Sequence, residues 1–174
     1  VFDSNLNAID VPIQQLKQSR QLPSKQGFSH YMLKEIYEQP TVIHNLLRKR
    51  ARLAAGTADF SDLPIAKGLH ESIKTIYIIG CGTSWHAGCL AAMVFEEIAT
   101  IPTRVEIASE FRHKTSFVDE TTLCIAISQS GETADTIAAL KEAKQKNAVT
   151  LAICNVANST LTRQADSHIL LEAG

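Results

Sequence analysis

Two short polar stretches hold the side chains of this sequence that could do chemistry. The stretch SQSGET, residues 128–133, places three hydroxyls, one amide and one glycine directly after an apolar run. Hydroxyls and amides can donate hydrogen bonds to phosphate oxygens and sugar hydroxyls, and glycine lets the backbone approach a ligand closely. The stretch GCGTSWHAG, residues 80–88, also follows an apolar run. Together they favour binding of a phosphorylated, hydroxyl-rich small molecule.

These stretches need a scaffold that brings them together. Apolar runs end at Ile79 and Ile127, and a helical pattern follows each run. Strands that are apolar on both faces and alternate with helices are typical of a parallel sheet covered on both sides. We therefore predict a doubly wound α/β fold, with a parallel sheet of about five strands flanked by helices. The strands are expected near residues 76–79, 104–108, 123–127, 149–153 and 168–171, and the helices near residues 85–99 and 134–146. One face of the first of these helices carries Leu90, Met93, Val94 and Ile98.

The N-terminal part of the chain has a different pattern. Residues 1–27 are polar and irregular, and we expect a linker there. Residues 29–38 have helical spacing, and Pro40 is expected to end that helix and to begin a second one. The second helix keeps an apolar stripe as far as Leu53, and Gly56 suits its C-terminal cap.

Ligands of such folds bind at the carboxyl ends of the strands, beside the N-termini of helices. Both polar stretches are strand-to-helix turns, so both present free backbone N–H groups and the positive end of a helix dipole, which favour an anion. In the second stretch Ser128, Ser130 and Thr133 can donate to phosphate oxygens, and Gln129 suits a sugar hydroxyl.

Two features oppose this interpretation. Ser130 or Thr133 could simply cap the following helix, although one cap explains one hydroxyl and not three with a glycine. Glu132 and Asp135 are acids in the first helical turn, where they would repel a phosphate. They also suit the helix dipole, so we expect them to face solvent while the anion binds on the other side.

A nicotinamide dinucleotide is the alternative ligand for the first stretch. Gly80 and Gly82 could begin a dinucleotide fingerprint, but Trp85 occupies the place of the third glycine. Glu106 or Glu110 would have to hold the ribose, and the match is poor. Neither carboxylate is expected to have a lysine or a base placed to work with it, so no acid–base pair is assigned.

Composition excludes several other classes. The net charge of −1 gives no electrostatic footprint for nucleic acid or an anionic membrane. No apolar run reaches the roughly 18 residues that a membrane span needs, and no signal peptide is visible, so the protein is expected to be cytoplasmic. The six histidines lack metal-ligand spacing, and neither a metal nor a cofactor is expected. The four cysteines form no CxxC pair and are expected to be buried free thiols: Cys81, Cys89, Cys124 and Cys154.

Four longer motifs are recognisable in order along the chain: GCGTSWHAG, VEIASEFRHK, ISQSGETADT and LAICNVANSTLTRQAD. They resemble the sugar isomerase (SIS) domain of the glucosamine-6-phosphate synthase family, and HYMLKEIYEQP, residues 30–40, resembles its helical lead-in. Members of that family are aminotransferases that convert fructose 6-phosphate and glutamine to glucosamine 6-phosphate and glutamate. The resemblance implies a fragment, with residues 28–174 as the first of two tandem SIS domains and residues 1–27 left from the linker to an upstream glutaminase domain.

The resemblance also implies roles for individual residues. Cys81 would lie beside the pocket without a catalytic part, and Trp85 stands where a tyrosine is expected. The family's nucleophilic cysteine, base, Schiff-base lysine and ring-opening histidine would all lie outside this chain, so no catalytic residue is expected in it, and His86 is expected to be structural. The implied partners are fructose 6-phosphate or glucosamine 6-phosphate and a second copy in a homodimer. The implied substrate-binding residues are Thr83, Ser84, Ser128, Gln129, Ser130 and Thr133.

A phosphosugar sensor of a transcription regulator is the alternative from a different functional class, because SIS domains are also fused to DNA-binding helices. That function needs a basic helix upstream, and the only candidate carries RKRAR, residues 48–52. A basic cluster at the C-terminus of a helix is explained by the helix dipole.

Overall fold

The computed structural model describes residues 7–8, 24–66, 72–114 and 117–173. The chain divides into two units, Val1–Ile36 and Tyr37–Gly174. In the first unit the N–H of Phe28 donates to the carbonyl of Lys25 at 2.9 Å, which closes a turn. The linker predicted over residues 1–27 lies mostly outside the described residues.

The N-terminal helix is one element that contains a proline. Helix α1 covers Tyr31–Arg50 and has Pro40 inside it, so the expectation of two helices separated at Pro40 is wrong. A proline removes one hydrogen bond of the helix, but the lysine, glutamate and leucine residues around it are good helix formers and continue the helix. The last turn is basic, as the helix dipole favours, with Arg48, Lys49 and Arg50.

A small hairpin follows α1, where the sequence pattern predicted more helix. Strand β1 (Ala51–Arg52) pairs antiparallel with strand β2 (Thr57–Ala58). A 3₁₀ turn at Leu53–Ala55 connects them, and Gly56 closes it with φ of 61° and an N–H bond to the carbonyl of Leu53. Gly56 is therefore a cap, but it caps this short turn and not the long helix.

The central sheet confirms the predicted fold class. It contains five strands, and all of its neighbouring strands are parallel. Each strand lies within two residues of its predicted position. The strands are β3 (Thr75–Gly80), β4 (Thr103–Ile107), β5 (Thr122–Ser128), β6 (Val149–Cys154) and β7 (Ser167–Leu170). Their order across the sheet is β4-β3-β5-β6-β7.

One face of the sheet packs against helix α2 (Thr83–Val94), which continues into a π-helical turn at Phe95–Ala99. The residues of α2 that approach the sheet are small: a Cβ on Gly88 would lie 2.9 Å from the side chain of Ile78. The predicted apolar face, with Leu90, Met93, Val94 and Ile98, is exposed. Close packing on a strand selects Gly88 and Ala92 instead, because large side chains would hold the helix away from the sheet.

In the part of the chain that the structure describes, three helices cover the other face of the sheet. Helix α3 (Ala108–Phe111), helix α4 (Ala134–Gln145) and helix α5 (Thr160–Gln164) pack over β3, β5 and β6. Their core residues alternate along the strands with those of the α2 face, as the period of two requires. Helix α4 matches the prediction to within one residue, whereas α3 and α5 were not predicted.

A large apolar cavity lies on the α2 face of the sheet. Its volume is about 840 Å³, and isoleucine and leucine side chains of the strands and of their connecting segments line most of it. Such walls offer few hydrogen bonds to an anion, whereas the polar stretches that follow β3 and β5 lie at the edge of the sheet. Among the described residues, no helix has the length and apolar character that crossing a membrane requires.

Candidate functional site

The two polar stretches meet at the point where the strand order reverses. From β3 the chain passes to β4 on one side, and β5 then pairs with β3 on its other side. The carboxyl ends are level, because Gly80 pairs with Ile127 and Ser128 pairs with Cys154. Such a switch point forms a crevice outside the strand ends, which is where open α/β sheets bind ligands.

The SQSGET loop folds around one buried hydroxyl. Ser128 is only 4% exposed, and its Oγ accepts a hydrogen bond from the N–H of Gly131 at 3.1 Å. The same oxygen lies 3.2 Å from Oγ1 of Thr133. Two residues further along the loop, Oγ of Ser130 accepts a hydrogen bond from the N–H of Glu132 at 3.2 Å. The loop is thus preformed, with its serines bonded to its own backbone.

Helix α4 begins directly after this loop. Thr133 is its N-cap residue, yet the Thr133 side chain makes no capping hydrogen bond. The first N–H groups of a helix have no partner within the helix, so those of α4 remain donors at the edge of the loop. The capping alternative is therefore wrong for Thr133, whose hydroxyl contacts Ser128 instead.

Gly131 is required at its position for two reasons. Its φ of +67° lies in the left-handed region, and a Cβ there would lie 2.1 Å from Oγ of Ser159 and 2.7 Å from Sγ of Cys154. The backbone at Gly131 therefore rests directly on the segment that follows β6. No side chain fits between them.

The segment after β6 also bonds the SQSGET loop. The N–H of Asn155 donates to the carbonyl of Gln129 at 3.1 Å, and the N–H of Leu161 donates to the carbonyl of Gly131 at 3.0 Å. Beneath them Oγ of Ser159 lies 3.5 Å from Sγ of Cys154 and 3.2 Å from Oγ1 of Thr162. Two carbonyls of the loop are thereby directed toward this segment.

The GCGTSWHAG loop leads into α2 through a tight turn. Gly82 precedes the helix with φ of 55°, and its carbonyl accepts from the N–H groups of Trp85 and His86 at 3.1 and 3.2 Å. Sγ of Cys81 lies 4.0 Å from Oγ1 of Thr136, in the first turn of α4. This contact joins the first loop to the helix that begins after the second loop.

Comparison with known proteins identifies the family of this fold. The model of the SIS domain matches residues 70–174. The chain belongs to the SIS-domain family. Over its full length it is 43% identical to the glutamine–fructose-6-phosphate aminotransferase (isomerizing) of Clostridium tetani and 45% identical to that of Legionella pneumophila strain Paris. The chain spans only 28% and 29% of the length of these two relatives.

A solved structure agrees with the sequence comparison. The C-terminal domain of glucosamine-fructose-6-phosphate aminotransferase from Francisella tularensis superposes with a TM-score of 0.80 at 45% identity. The match covers 87% of this chain and 43% of that one. The resemblance inferred from the four sequence motifs is thus confirmed.

All six predicted binding residues lie in the two loops of this SIS domain or in the helix turns that begin there. Thr83 and Gln129 are exposed, Ser84, Ser130 and Thr133 are half-buried, and Ser128 is buried. The exposed and half-buried side chains are accessible to a ligand at the strand ends. The buried Ser128 hydroxyl has one O–H to donate, and its oxygen already accepts from Gly131.

The acids of the second loop have different surroundings. Oε1 of Glu132 accepts a hydrogen bond from the N–H of Thr160 at 2.7 Å, and this bond holds the pKa of the Glu132 carboxyl below its ordinary value. The carboxylate is thus turned toward α5, where a backbone N–H compensates its charge. Asp135 lies in the first turn of α4.

Other titratable groups near this edge are paired or exposed. Nζ of Lys114 lies 2.7 Å from Oε2 of Glu106, so the expectation that Glu106 has no lysine partner is wrong. This ion pair raises the pKa of the Lys114 ammonium. His86 is exposed and its ring stacks edge-on with Trp85 at 4.9 Å. No group of metal-ligating side chains is found among the described residues.

All four cysteines are free thiols, as predicted, but Cys81 and Cys89 are only partly buried. Cys124 and Cys154 are buried, and burial raises the pKa of the Cys124 thiol to about 12. Sequence reasoning missed the part that Cys154 and Ser159 play beneath the SQSGET loop. A signal was present, because the polar stretch NVANST follows a strand that ends at the same edge of the sheet.

Proposed function

We propose that this chain is the first SIS domain of a glucosamine-6-phosphate synthase and binds the phosphate group of fructose 6-phosphate or glucosamine 6-phosphate. The observation that carries the proposal is the preformed SQSGET loop at the switch point of the sheet, directly before the N-terminus of α4. The relatives that match the whole chain are named as aminotransferases that act on fructose 6-phosphate.

The phosphate would be held by two kinds of donor. The first-turn N–H groups of α4 and the positive end of its dipole favour the anion. The hydroxyls of Ser128, Ser130 and Thr133 add donors with adjustable direction. Gln129, which is exposed beside them, can both donate to and accept from a sugar hydroxyl.

The opposite wall of the crevice would be built by the first loop. Thr83 and Ser84 begin α2 at the end of β3, the strand beside β5. Their hydroxyls would bind the sugar part of the ligand, while the second loop holds its phosphate. The contact between Cys81 and Thr136 would keep the two walls at a fixed spacing.

Isothermal titration of the purified chain tests this binding function. Glucosamine 6-phosphate should bind, and glucosamine, which lacks only the phosphate, should not bind measurably at the same concentrations. Equal binding of the two compounds would mean that the phosphate is not recognised. Inorganic phosphate should compete with glucosamine 6-phosphate for the site.

Conversion of fructose 6-phosphate and glutamine to glucosamine 6-phosphate is proposed for the full-length protein, with this domain supplying binding. Isomerisation needs a base, and amination through an imine needs an amine. The two loops contain no lysine. The chain alone, given fructose 6-phosphate and ammonia, is expected to release no glucosamine 6-phosphate in a coupled assay, and turnover that His86→Ala abolishes would contradict this division of labour.

The domain boundaries, homodimer and location extend the proposal. Residues 28–174 would form the SIS domain with its lead-in, and residues 1–27 would be linker. A homodimer is supported by the exposed apolar face of α2.

The sensor alternative has less support, because the relatives that match the full chain carry the aminotransferase name. The cytoplasmic location stays a prediction from the sequence.

A further inference from the structure

We propose that Glu132 is a positioning residue of the phosphate site, because its carboxylate latches the SQSGET loop to the first turn of α5. This inference rests on the proposed phosphate-binding function. It assigns an acid that lies within an anion-binding loop to holding that loop in shape, without any contact with the ligand.

The latch consists of two neighbouring hydrogen bonds. Oε1 of Glu132 accepts from the N–H of Thr160 at 2.7 Å, and the carbonyl of Gly131 accepts from the N–H of Leu161 at 3.0 Å. Two consecutive residues of the loop therefore bind two consecutive N–H groups at the start of α5. The next N–H of α5, that of Thr162, donates to Oγ of Ser159 at 3.4 Å. The first turn of α5 is thus satisfied mainly by the loop, although such groups usually need a cap or water.

The direction of these bonds decides which atoms can face an anion. The carbonyls of Gln129 and Gly131 and the carboxylate of Glu132 all point to the segment of residues 155–161. Each of these three groups would repel a phosphate if it faced the ligand. The N–H groups that begin α4 and the hydroxyls remain for the ligand.

Close packing explains why a latch is needed on one side only. Gly131 already rests on Ser159 and Cys154, where a Cβ would overlap their side chains. This close contact resists movement of the loop toward that segment, so the hydrogen bonds are needed against displacement away from it. The bond from Thr160 to Glu132 resists this outward displacement.

The latch and simple electrostatics predict opposite effects of removing the charge. A carboxylate that merely lies near a bound phosphate repels it, so its removal should strengthen binding. A carboxylate that holds the loop in place should weaken binding when it is removed. Asp135, an acid in the first turn of α4, provides a matched control for the loss of one negative charge.

The test is isothermal titration of the chain with glucosamine 6-phosphate, using the wild type, Glu132→Ala, Glu132→Gln and Asp135→Asn. We expect Glu132→Ala to weaken binding by about threefold to tenfold, the effect of one partly solvated hydrogen bond to a charged group. Glu132→Gln keeps an acceptor oxygen for the N–H of Thr160 and should recover most of the affinity. Asp135→Asn should bind as tightly as the wild type or more tightly. Equal or tighter binding by Glu132→Ala would overturn the latch.

A second measurement reports the latch without any ligand. The amide hydrogen of Thr160 should exchange with solvent faster in Glu132→Ala than in the wild type, while amides in the middle of α4 should keep their rates. An unchanged rate at Thr160 overturns the latch even if binding changes. A wild-type chain that binds no glucosamine 6-phosphate, but shows the exchange difference, overturns the phosphate-binding function and leaves Glu132 as a structural contact only.

Discussion

The hydroxyl oxygens of Ser128 and Thr133 lie 3.2 Å apart, so the last residue of β5 contacts the N-cap residue of α4. The N–H of Gly131 donates to the same Ser128 oxygen at 3.1 Å. The loop between strand and helix is closed by these bonds before any ligand binds. A preformed loop loses less conformational entropy on binding, which favours affinity for a small anionic ligand.

Gly131→Ala should destabilise the fold and remove the proposed site. The new Cβ would lie 2.1 Å from Oγ of Ser159, in addition to the strain of a left-handed backbone. We expect the free energy of unfolding to fall by about 3 kcal/mol or more, measured by urea denaturation. Gly56→Ala is the matched control, because Gly56 has φ of +61° and nothing within 4 Å of its Cβ position. That variant should lose only about 1 kcal/mol. Equal losses in the two variants would show that the contact with Ser159 is unimportant.

Ser130→Ala should weaken phosphosugar binding while leaving the fold nearly as stable. Ser130 is half-buried, and its Oγ accepts only a local bond from the N–H of Glu132 at 3.2 Å. A hydrogen bond to a charged group corresponds to about a tenfold to hundredfold loss of affinity. Isothermal titration and thermal melting of the same sample separate the effect on binding from the effect on stability. The control is Ser61→Ala, at a serine outside both polar loops. Unchanged binding with a large drop in melting temperature would make Ser130 a structural residue of the loop only.

The sheet could be predicted from the sequence because its strands are apolar on both faces. In a parallel α/β fold, short apolar runs such as those ending at Gly80 and Ile127 are typical of strands that are buried on both faces. The buried face of helix α2 could not be predicted in the same way, because apolar residues are spread around the helix and their periodicity does not show which face is buried. The approach of Gly88 to Ile78 decides it, and that contact depends on the tertiary structure. Pro40 led to the wrong prediction of two helices, because a proline weakens a helix without always ending it.

The two polar loops could be located from the sequence because each follows a recognisable strand, but the contacts that support the second loop could not. The SQSGET loop is held by the N–H groups of Asn155, Thr160 and Leu161. Backbone donors leave no signature in side-chain types, so no residue pattern could indicate them. The acid Glu132 was visible in the sequence, yet its orientation depends on where α5 begins in space.

Asp166→Asn should destabilise the protein near neutral pH, and its effect should shrink in acid. Partial burial raises the pKa of the Asp166 carboxyl, but bonds from Lys144 and from Thr150 lower it more, so the net pKa is depressed. Its Oδ2 accepts from the N–H and the hydroxyl of Thr150 at 2.9 and 2.7 Å. A depressed pKa means that the stabilisation is complete above the unfolded-state value of about 3.9 and is lost as the pH falls through the folded-state value.

Urea denaturation at pH 7 and at a series of values below pH 4 measures this dependence on Asp166. The free energy of unfolding should be lower in Asp166→Asn by about 0.5–1 kcal/mol at pH 7, because the carboxylate is partly exposed and solvent screens its ion pair with Lys144. The difference from the wild type should narrow toward the lowest pH. Glu120→Gln, a surface carboxylate, is the control and should differ little from the wild type at either pH. A difference that stays constant over the whole pH range would mean that the Asp166 charge does not contribute.

Leu90→Glu should convert the proposed homodimer to a monomer without unfolding it. Leu90, Met93, Val94 and Ile98 are 69%, 66%, 54% and 78% exposed, on a helix whose small residues already pack on the sheet. We propose this contiguous apolar face as the interface, and a charge placed in it must be desolvated when the interface forms. Light scattering over a range of protein concentrations should give the dimer mass for the wild type and the monomer mass for Leu90→Glu. The control is Leu53→Glu, at a leucine that is 90% exposed in the hairpin after α1, and it should remain dimeric. Dimers in both variants would place the interface elsewhere, and a monomeric wild type would exclude the homodimer for this chain.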